Sequence, residues 1–176
     1  MIERSQEAVS FPYYDLVPLG DLHLTLDRVA FESDLTPEHL RAINAAATLA
    51  CREISPFSIT VDSLGGTPGA IGFSASPARP IVHLRDTLRE ATLSVYPDAR
   101  IKNSELHPHV TIAYCNSSNV PAEKVVAAVE NLSMLSCTDI WVKESSLVLL
   151  EQRPRAYAWH EIFRIPLGDV DSTENL

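Results

Sequence analysis

Hydrophobic and polar residues alternate most sharply at two places in this chain. Leu22, Leu24 and Leu26 alternate with His23 and Thr25, the two-residue period of a half-buried strand. The second stretch, from His109 to Ile112, sets Val110 and Ile112 inward and His109 and Thr111 outward. Helical patterns lie between and after them. Thr36-Pro37-Glu38 opens a helix, with Thr36 as N-cap and Pro37 in the first helical position, and the alanine-rich stretch extends it to about Cys51. Ile81, Leu84, Leu88, Ala91 and Val95 form the apolar stripe of a second helix over Ile81 to Val95. Asn119-Val120-Pro121-Ala122-Glu123 begins a third, ending near Asn131. Phe57–Val61 reads as a strand, Gly65-Gly66-Thr67-Pro68-Gly69 as a turn and Ala70–Ser74 as the returning strand. Tyr96 to Leu106 reads as a loop, and Thr138–Lys143, Ser146–Gln152 and Tyr157–Ile165 read as strands.

This order predicts an α+β protein with antiparallel sheets, without the strict βαβ rhythm of a doubly wound fold. Residues 1–17 read as an irregular N-terminal segment with an aromatic patch at Phe11, Tyr13 and Tyr14; residues 18–168 form one domain of two lobes; residues 169–176 are an acidic flexible tail. Each half echoes the other: a motif strand, a helix starting near a proline, then a strand pair.

Composition narrows the function classes. The chain has 176 residues, 45% of them hydrophobic and 21% charged, with a mean hydropathy of +0.01, as expected of an ordinary globular protein. No apolar run approaches the ~20 residues of a membrane helix. The polar, acidic start predicts no signal peptide and a cytoplasmic location. The net charge is −9, from 23 acidic and 14 basic residues without a Lys/Arg cluster, which disfavours a grip on long nucleic acid. A small nucleotide or a single RNA end remains compatible. Cys51, Cys115 and Cys137 are widely spaced and read as free thiols, without a Cys-x-x-Cys motif.

The two alternating stretches also carry the chemistry. In each, a histidine and a threonine two residues apart project from one strand face, with apolar neighbours anchoring the strand behind them. Two such strands facing one another supply two imidazoles and two hydroxyls. That set fits phosphodiester cleavage without a metal. One imidazole takes a proton from the attacking oxygen and the other donates to the leaving oxygen. An ordinary imidazole pKa of ~6.5 suits both tasks. The hydroxyls donate to non-bridging oxygens as charge builds on them. Two copies in a chain with six histidines carry far more weight than one.

The paired motifs resemble those of the two-histidine (2H) phosphoesterase superfamily, which includes the bacterial 2′-5′ RNA ligase and plant and fungal cyclic phosphodiesterases. Three further stretches are similar to a bacterial 2′-5′ RNA ligase-like subgroup: Gly69-Ala70-Ile71-Gly72-Phe73-Ser74; His107-Pro108-His109 through Asn116; and Tyr157-x-Trp159 followed by Ile165-Pro166-Leu167-Gly168. The resemblance runs from about Leu19 to Gly168. It implies a bilobal, pseudo-symmetric fold whose antiparallel sheets line a central cleft with helices outside. It further implies a metal-independent, cofactor-free reaction on 2′,3′-cyclic or 2′-5′-linked nucleotide phosphates, reversible as ligation. His23, Thr25, His109 and Thr111 match the catalytic positions. Some members carry arginine five residues after the second motif histidine, where this chain has Tyr114; that departure argues against the RNA-ligase member's own substrate. Tyr114, His107 and Arg155 are candidate substrate-binding residues.

Two other readings compete. His107-Pro108-His109 has a His-x-His spacing that, with His83 or His160, suggests a zinc site; it leaves His23 and the repeated threonines unexplained. A non-catalytic nucleotide-binding module fits the same motifs. His39 and His83 read as helix-surface residues, and Tyr157 and Trp159 as core residues sharing a strand face. The glycine-rich turn lacks the lysine of a P-loop, and no serine sits in a nucleophile elbow.

Overall fold

The computed structural model describes residues 1–67, 69–101, 104–118, 120–132, 137–153 and 156–168. Among the described residues, four α-helices and seven strands follow in the order α1 (Ile2–Ala8), β1 (Tyr14–Leu16), α2 (Pro37–Cys51), β2 (Phe57–Thr67), β3 (Ala70–Ser76), α3 (Ala78–Val95), β4 (His109–Cys115), α4 (Ala122–Glu130), β5 (Thr138–Val142), β6 (Glu144–Arg153) and β7 (Ala156–Pro166). The architecture is α+β with antiparallel sheets, as the pattern predicts. A five-stranded sheet has the order β1-β4-β3-β2-β5, and β6 and β7 form a two-stranded sheet.

The first 17 residues depart from expectation. They hold α1 and β1 where an irregular segment is predicted. Gln6, buried on α1, donates through Nε2 to the carbonyls of Val17 (2.6 Å) and Ile112 (3.1 Å), and Tyr14–Leu16 pairs with Ala113–Cys115. These long-range partners leave no mark on local periodicity. The predicted glycine turn is likewise shorter, because Gly65, Gly66 and Thr67 continue β2 and pair with Gly72, Ile71 and Ala70. Glycine removes side-chain bulk without removing a backbone donor, so the ladder survives there.

Two apolar clusters divide the core. One joins Val9, Tyr14, Ile59, Val61, Ile71, Phe73, Ala75, Ile81, Ile112, Ala113 and Val125. Ile71, Phe73 and Ile112 are its most completely buried large side chains, each contributing roughly 1.5–3 kcal/mol relative to exposure. The second joins Ala47, Cys51, Ile54 and Leu84 of the α2–α3 region to Ile165 and Leu167 at the end of β7 and just beyond it. Leu26, Phe57 and Val142 touch both clusters. The five-stranded sheet draws on both halves of the sequence, since β3 pairs with β2 on one edge and β4 on the other.

Local signals explain the helices. Thr36 accepts from His39 N while the His39 ring accepts from Thr36 N, each at 3.3 Å, completing a capping box. His39 therefore acts as a cap, and its ring also lies 5.0 Å from that of Tyr96. Pro80 falls in the first turn of α3, where a missing N–H costs nothing.

Candidate active site

The segment carrying the first motif is not a paired strand. Residues 22–30 have no regular secondary structure, although Leu22, Leu24 and Leu26 pack against the first core cluster as their alternation predicts. Periodicity reports which side chains are buried; it does not report whether a neighbouring strand is present. Side-chain contacts and one backbone hydrogen bond hold this segment instead. Arg89 of α3 donates to Asp27 Oδ2 from Nε (2.9 Å) and from Nη2 (2.7 Å). Arg100 N donates to the Val29 carbonyl at 2.7 Å, and its guanidinium bonds Asp34 at 2.9 Å while lying over the Phe31 ring.

The second motif lies on β4. His109 faces Ser74 and Val110 faces Phe73 on β3, but the register then skips Ile112: Gly72 pairs with Thr111 and Ile71 with Ala113. This irregularity breaks the predicted alternation. Thr111, Ile112 and Ala113 are all buried in sequence, with Thr111 8% exposed, while His109 stands exposed at the strand start. Thr111 is buried, where strict alternation predicts an outward position, although pairing is one-for-one from His109 to Thr111 and keeps it on the face of His109. The extra residue, Ile112, comes after it and lets Ile112 and Ala113 both be buried. A second irregularity occurs at Ser63 of β2, where φ is 41°. Gly72 is needed at the first one. A Cβ there meets Val110 O at 2.7 Å and Thr111 Cα at 3.1 Å, so only glycine lets β3 approach β4 this closely.

Despite their different backbones, the two histidines are held identically. His23 Nδ1 lies 2.7 Å from the carbonyl of Asp21, and His109 Nδ1 lies 2.7 Å from the carbonyl of His107. Each acceptor lies two residues before its histidine. A carbonyl oxygen only accepts, so both Nδ1 atoms carry hydrogen and, in the neutral rings, both Nε2 atoms are left as acceptors. Among the described residues neither Nε2 has a hydrogen-bond partner. His23 is half-buried and Thr25 exposed.

The Asp21 carbonyl has a second donor. It ends the short 3-10 turn Leu19–Asp21 and accepts from Trp159 Nε1 of β7 at 3.1 Å. Trp159 reads as a core residue from sequence, but its indole is half-buried and its N–H is used here. Neither carbonyl was foreseeable, because backbone acceptors have no residue-type signature.

The other candidates divide. His107 is exposed, and its carbonyl is the group that meets His109. Tyr114 is half-buried and pairs with Asp15 and Ala70, away from the His109 end of β4. Arg155 and the acidic stretch 169–176 lie outside the described residues. For the zinc reading, His160 Nε2 lies 3.8 Å from Glu151 on the neighbouring strand, and no group of three or more His, Cys, Asp or Glu side chains is assembled among the described residues. No helix among them is long and apolar enough to cross a membrane.

An α+β fold with a curled antiparallel sheet and four helices is that of the two-histidine phosphoesterases. The family model of the 2′-5′ RNA ligase superfamily matches residues 2–146, and the chain belongs to that superfamily. It is similar to the crystal structure of TT0787 of Thermus thermophilus at 20% identity and a TM-score of 0.71, over 96% of this chain and 91% of that one. It is similar to E. coli LigT complexed with 3′-AMP at 17% identity and a TM-score of 0.67, over 96% and 94%. The LigT structure with ATP gives 19% identity and a TM-score of 0.60, over 94% and 92%. At these identities the likeness establishes the fold. No curated protein matches the chain.

Proposed function

We propose that this protein is a metal-independent phosphodiesterase acting on 2′,3′-cyclic or 2′-5′-linked nucleotide phosphoesters, with His23 and His109 as its acid–base pair. The observation that carries the proposal is the matched hold on the two imidazoles. Each Nδ1–H is tied to a carbonyl two residues earlier, which leaves two equivalent Nε2 atoms for proton transfer. A histidine serving only the surface has no need of this repeated arrangement.

In hydrolysis of a 2′,3′-cyclic phosphate, one neutral Nε2 accepts a proton from water as its oxygen attacks phosphorus. The other, protonated Nε2 gives its proton to the ribose oxygen as the P–O bond breaks. The imidazoles finish with their protonation states exchanged. With a ribose 5′-hydroxyl as attacking group in place of water, the same sequence is ligation, and its reverse cleaves the 2′-5′ linkage. Thr25 and Thr111 donate hydroxyl hydrogens to the non-bridging oxygens. The net charge of −9 favours small substrates over long RNA. LigT's complexes with 3′-AMP and ATP support a small nucleotide as the ligand class.

The test uses chelator-treated protein with 2′,3′-cyclic nucleotides and 2′-5′-linked dinucleotides, alongside His23→Ala and His109→Ala. Turnover is expected to survive chelation, to follow a bell-shaped pH profile belonging to the coupled pair, and to fall by at least ~10²-fold in each variant. Equal turnover in wild type and both variants overturns the assignment. Loss of activity on chelation, restored by zinc, favours the His-x-His reading, and nucleotide binding without turnover favours a binding module.

A further inference from the structure

Resting on the acid–base role of His23, we propose that Trp159 is a positioning residue for that histidine, acting through the Asp21 carbonyl. The Asp21 oxygen accepts from His23 Nδ1 at 2.7 Å and from Trp159 Nε1 at 3.1 Å. One acceptor thus joins the first motif to the β6–β7 sheet.

Three features make this link more than a packing contact. Asp21 ends a 3-10 turn, and the last carbonyls of a helical turn have no partner within it. Its direction is therefore set by whatever donors reach it from outside. The motif segment has no strand pairing to fix its backbone, unlike His109, whose strand is hydrogen-bonded to β3. A donor anchored on a regular strand supplies that reference. Trp159 is such a donor, since β7 is held to β6 through Glu144–Arg153, with Trp159 opposite Leu150. The indole N–H can only donate, so it can bind the Asp21 carbonyl without reversing its role toward His23. Trp159 keeps the carbonyl aimed at Nδ1 and thereby holds His23 in the tautomer that presents an unprotonated Nε2.

The experiment compares Trp159→Phe, which keeps an aromatic ring but removes the N–H, with Leu150→Ala, which disturbs the same cross-strand pair and leaves the N–H in place. Nitrogen-15 NMR of the imidazoles reads the tautomer directly, and steady-state kinetics on 2′,3′-cyclic nucleotides reads the consequence. Trp159→Phe is expected to shift the neutral His23 population toward the Nε2–H tautomer while His109 stays unchanged. It should lower kcat about fivefold, the effect of one lost hydrogen bond, with KM within about twofold of wild type. Leu150→Ala is expected to alter neither the His23 tautomer nor kcat beyond about twofold. If Trp159→Phe does not fold, β-(3-benzothienyl)alanine at position 159 replaces the N–H by sulfur at nearly constant shape, with the same expected results.

An unchanged His23 tautomer in a folded variant lacking the N–H overturns the proposal. So does an equal shift at His109, or the same shift in Leu150→Ala. The tautomer needs no turnover, so it tests the link even where the catalytic assay fails. Failure of the catalytic reading is seen separately in His23→Ala and His109→Ala.

Discussion

Gly72→Ala tests whether the close approach of β3 to β4 builds the second half of the site. The added Cβ falls 2.7 Å from Val110 O, 3.1 Å from Thr111 Cα and 3.2 Å from Val110 C. All three are backbone atoms, so no side chain can swing aside. Comfortable contacts begin near ~3.5 Å, and β4 must retreat by roughly half an ångström or more. Overpacking of this kind costs about 1–3 kcal/mol. In a chain of this size each kcal/mol moves Tm by ~2–4 °C, so a fall of about 2–12 °C is expected. The displaced residues, Val110 and Thr111, follow His109 directly, and catalytic groups tolerate only ~0.5 Å of misplacement, so kcat should fall roughly tenfold. The control is the register partner of Gly72. Gly65 lies opposite it, and a Cβ there meets nothing within 4 Å. Gly65→Ala should stay within about 1 kcal/mol of wild type and keep its activity. Thermal unfolding by circular dichroism and turnover of 2′,3′-cyclic nucleotides give the two readouts. If Gly72→Ala melts and turns over like Gly65→Ala, the close approach is not a constraint and the reasoning fails.

Two further expectations follow from other parts of the molecule. Arg89→Met removes both donors to Asp27 Oδ2, in a pair whose side chains are each 19% exposed. It should cost about 2 kcal/mol in urea unfolding, with partial recovery in the double variant with Asp27→Leu; a loss under about 0.5 kcal/mol in the single variant counts against this clamp. Burial pushes the Cys51 thiol from 9.0 up to about 11. The folded state therefore holds this proton longer than the unfolded chain does. Its stabilising contribution is complete below pH 9 and disappears as pH rises from 9 to 11. At about pH 8, roughly a hundredfold less thiolate is present than for an ordinary thiol, so iodoacetamide should modify exposed Cys137 in the native protein and reach Cys51 only after unfolding. Native labelling of Cys51 as fast as Cys137 contradicts this account.

Much of the fold was legible because its signals are local. Thr36 and Pro37 mark the start of α2, and the 81-84-88-91-95 stripe marks the body of α3. Short alternating runs identify β3 through β7 to within a few residues, while β2 runs on past the predicted Val61 to Thr67. The errors share a cause. Residues 1–17 form α1 and β1 because Gln6 and Tyr14 find partners about a hundred residues away. Leu22, Leu24 and Leu26 alternate as a strand does, yet they bury against the core without a neighbouring ladder. Ile112 and Ala113 are both buried because the register skips Ile112, a choice made between strands.

For the candidate site, the same division holds. Sequence alone determined the chemistry available: two His-x-Thr pairs, each backed by apolar residues, in an acidic chain without a Lys/Arg cluster. Residue type and spacing suffice for that, because an imidazole and a hydroxyl carry their donor and acceptor chemistry with them wherever the chain runs. Tertiary structure decided how those groups are held. It set both imidazoles on backbone carbonyls, exposed His109 while burying Thr111, and brought Trp159 from near the far end of the chain to the carbonyl beneath His23. Carbonyl direction, sheet register and long-range closure depend on where the whole backbone runs, and no local run of residues encodes them.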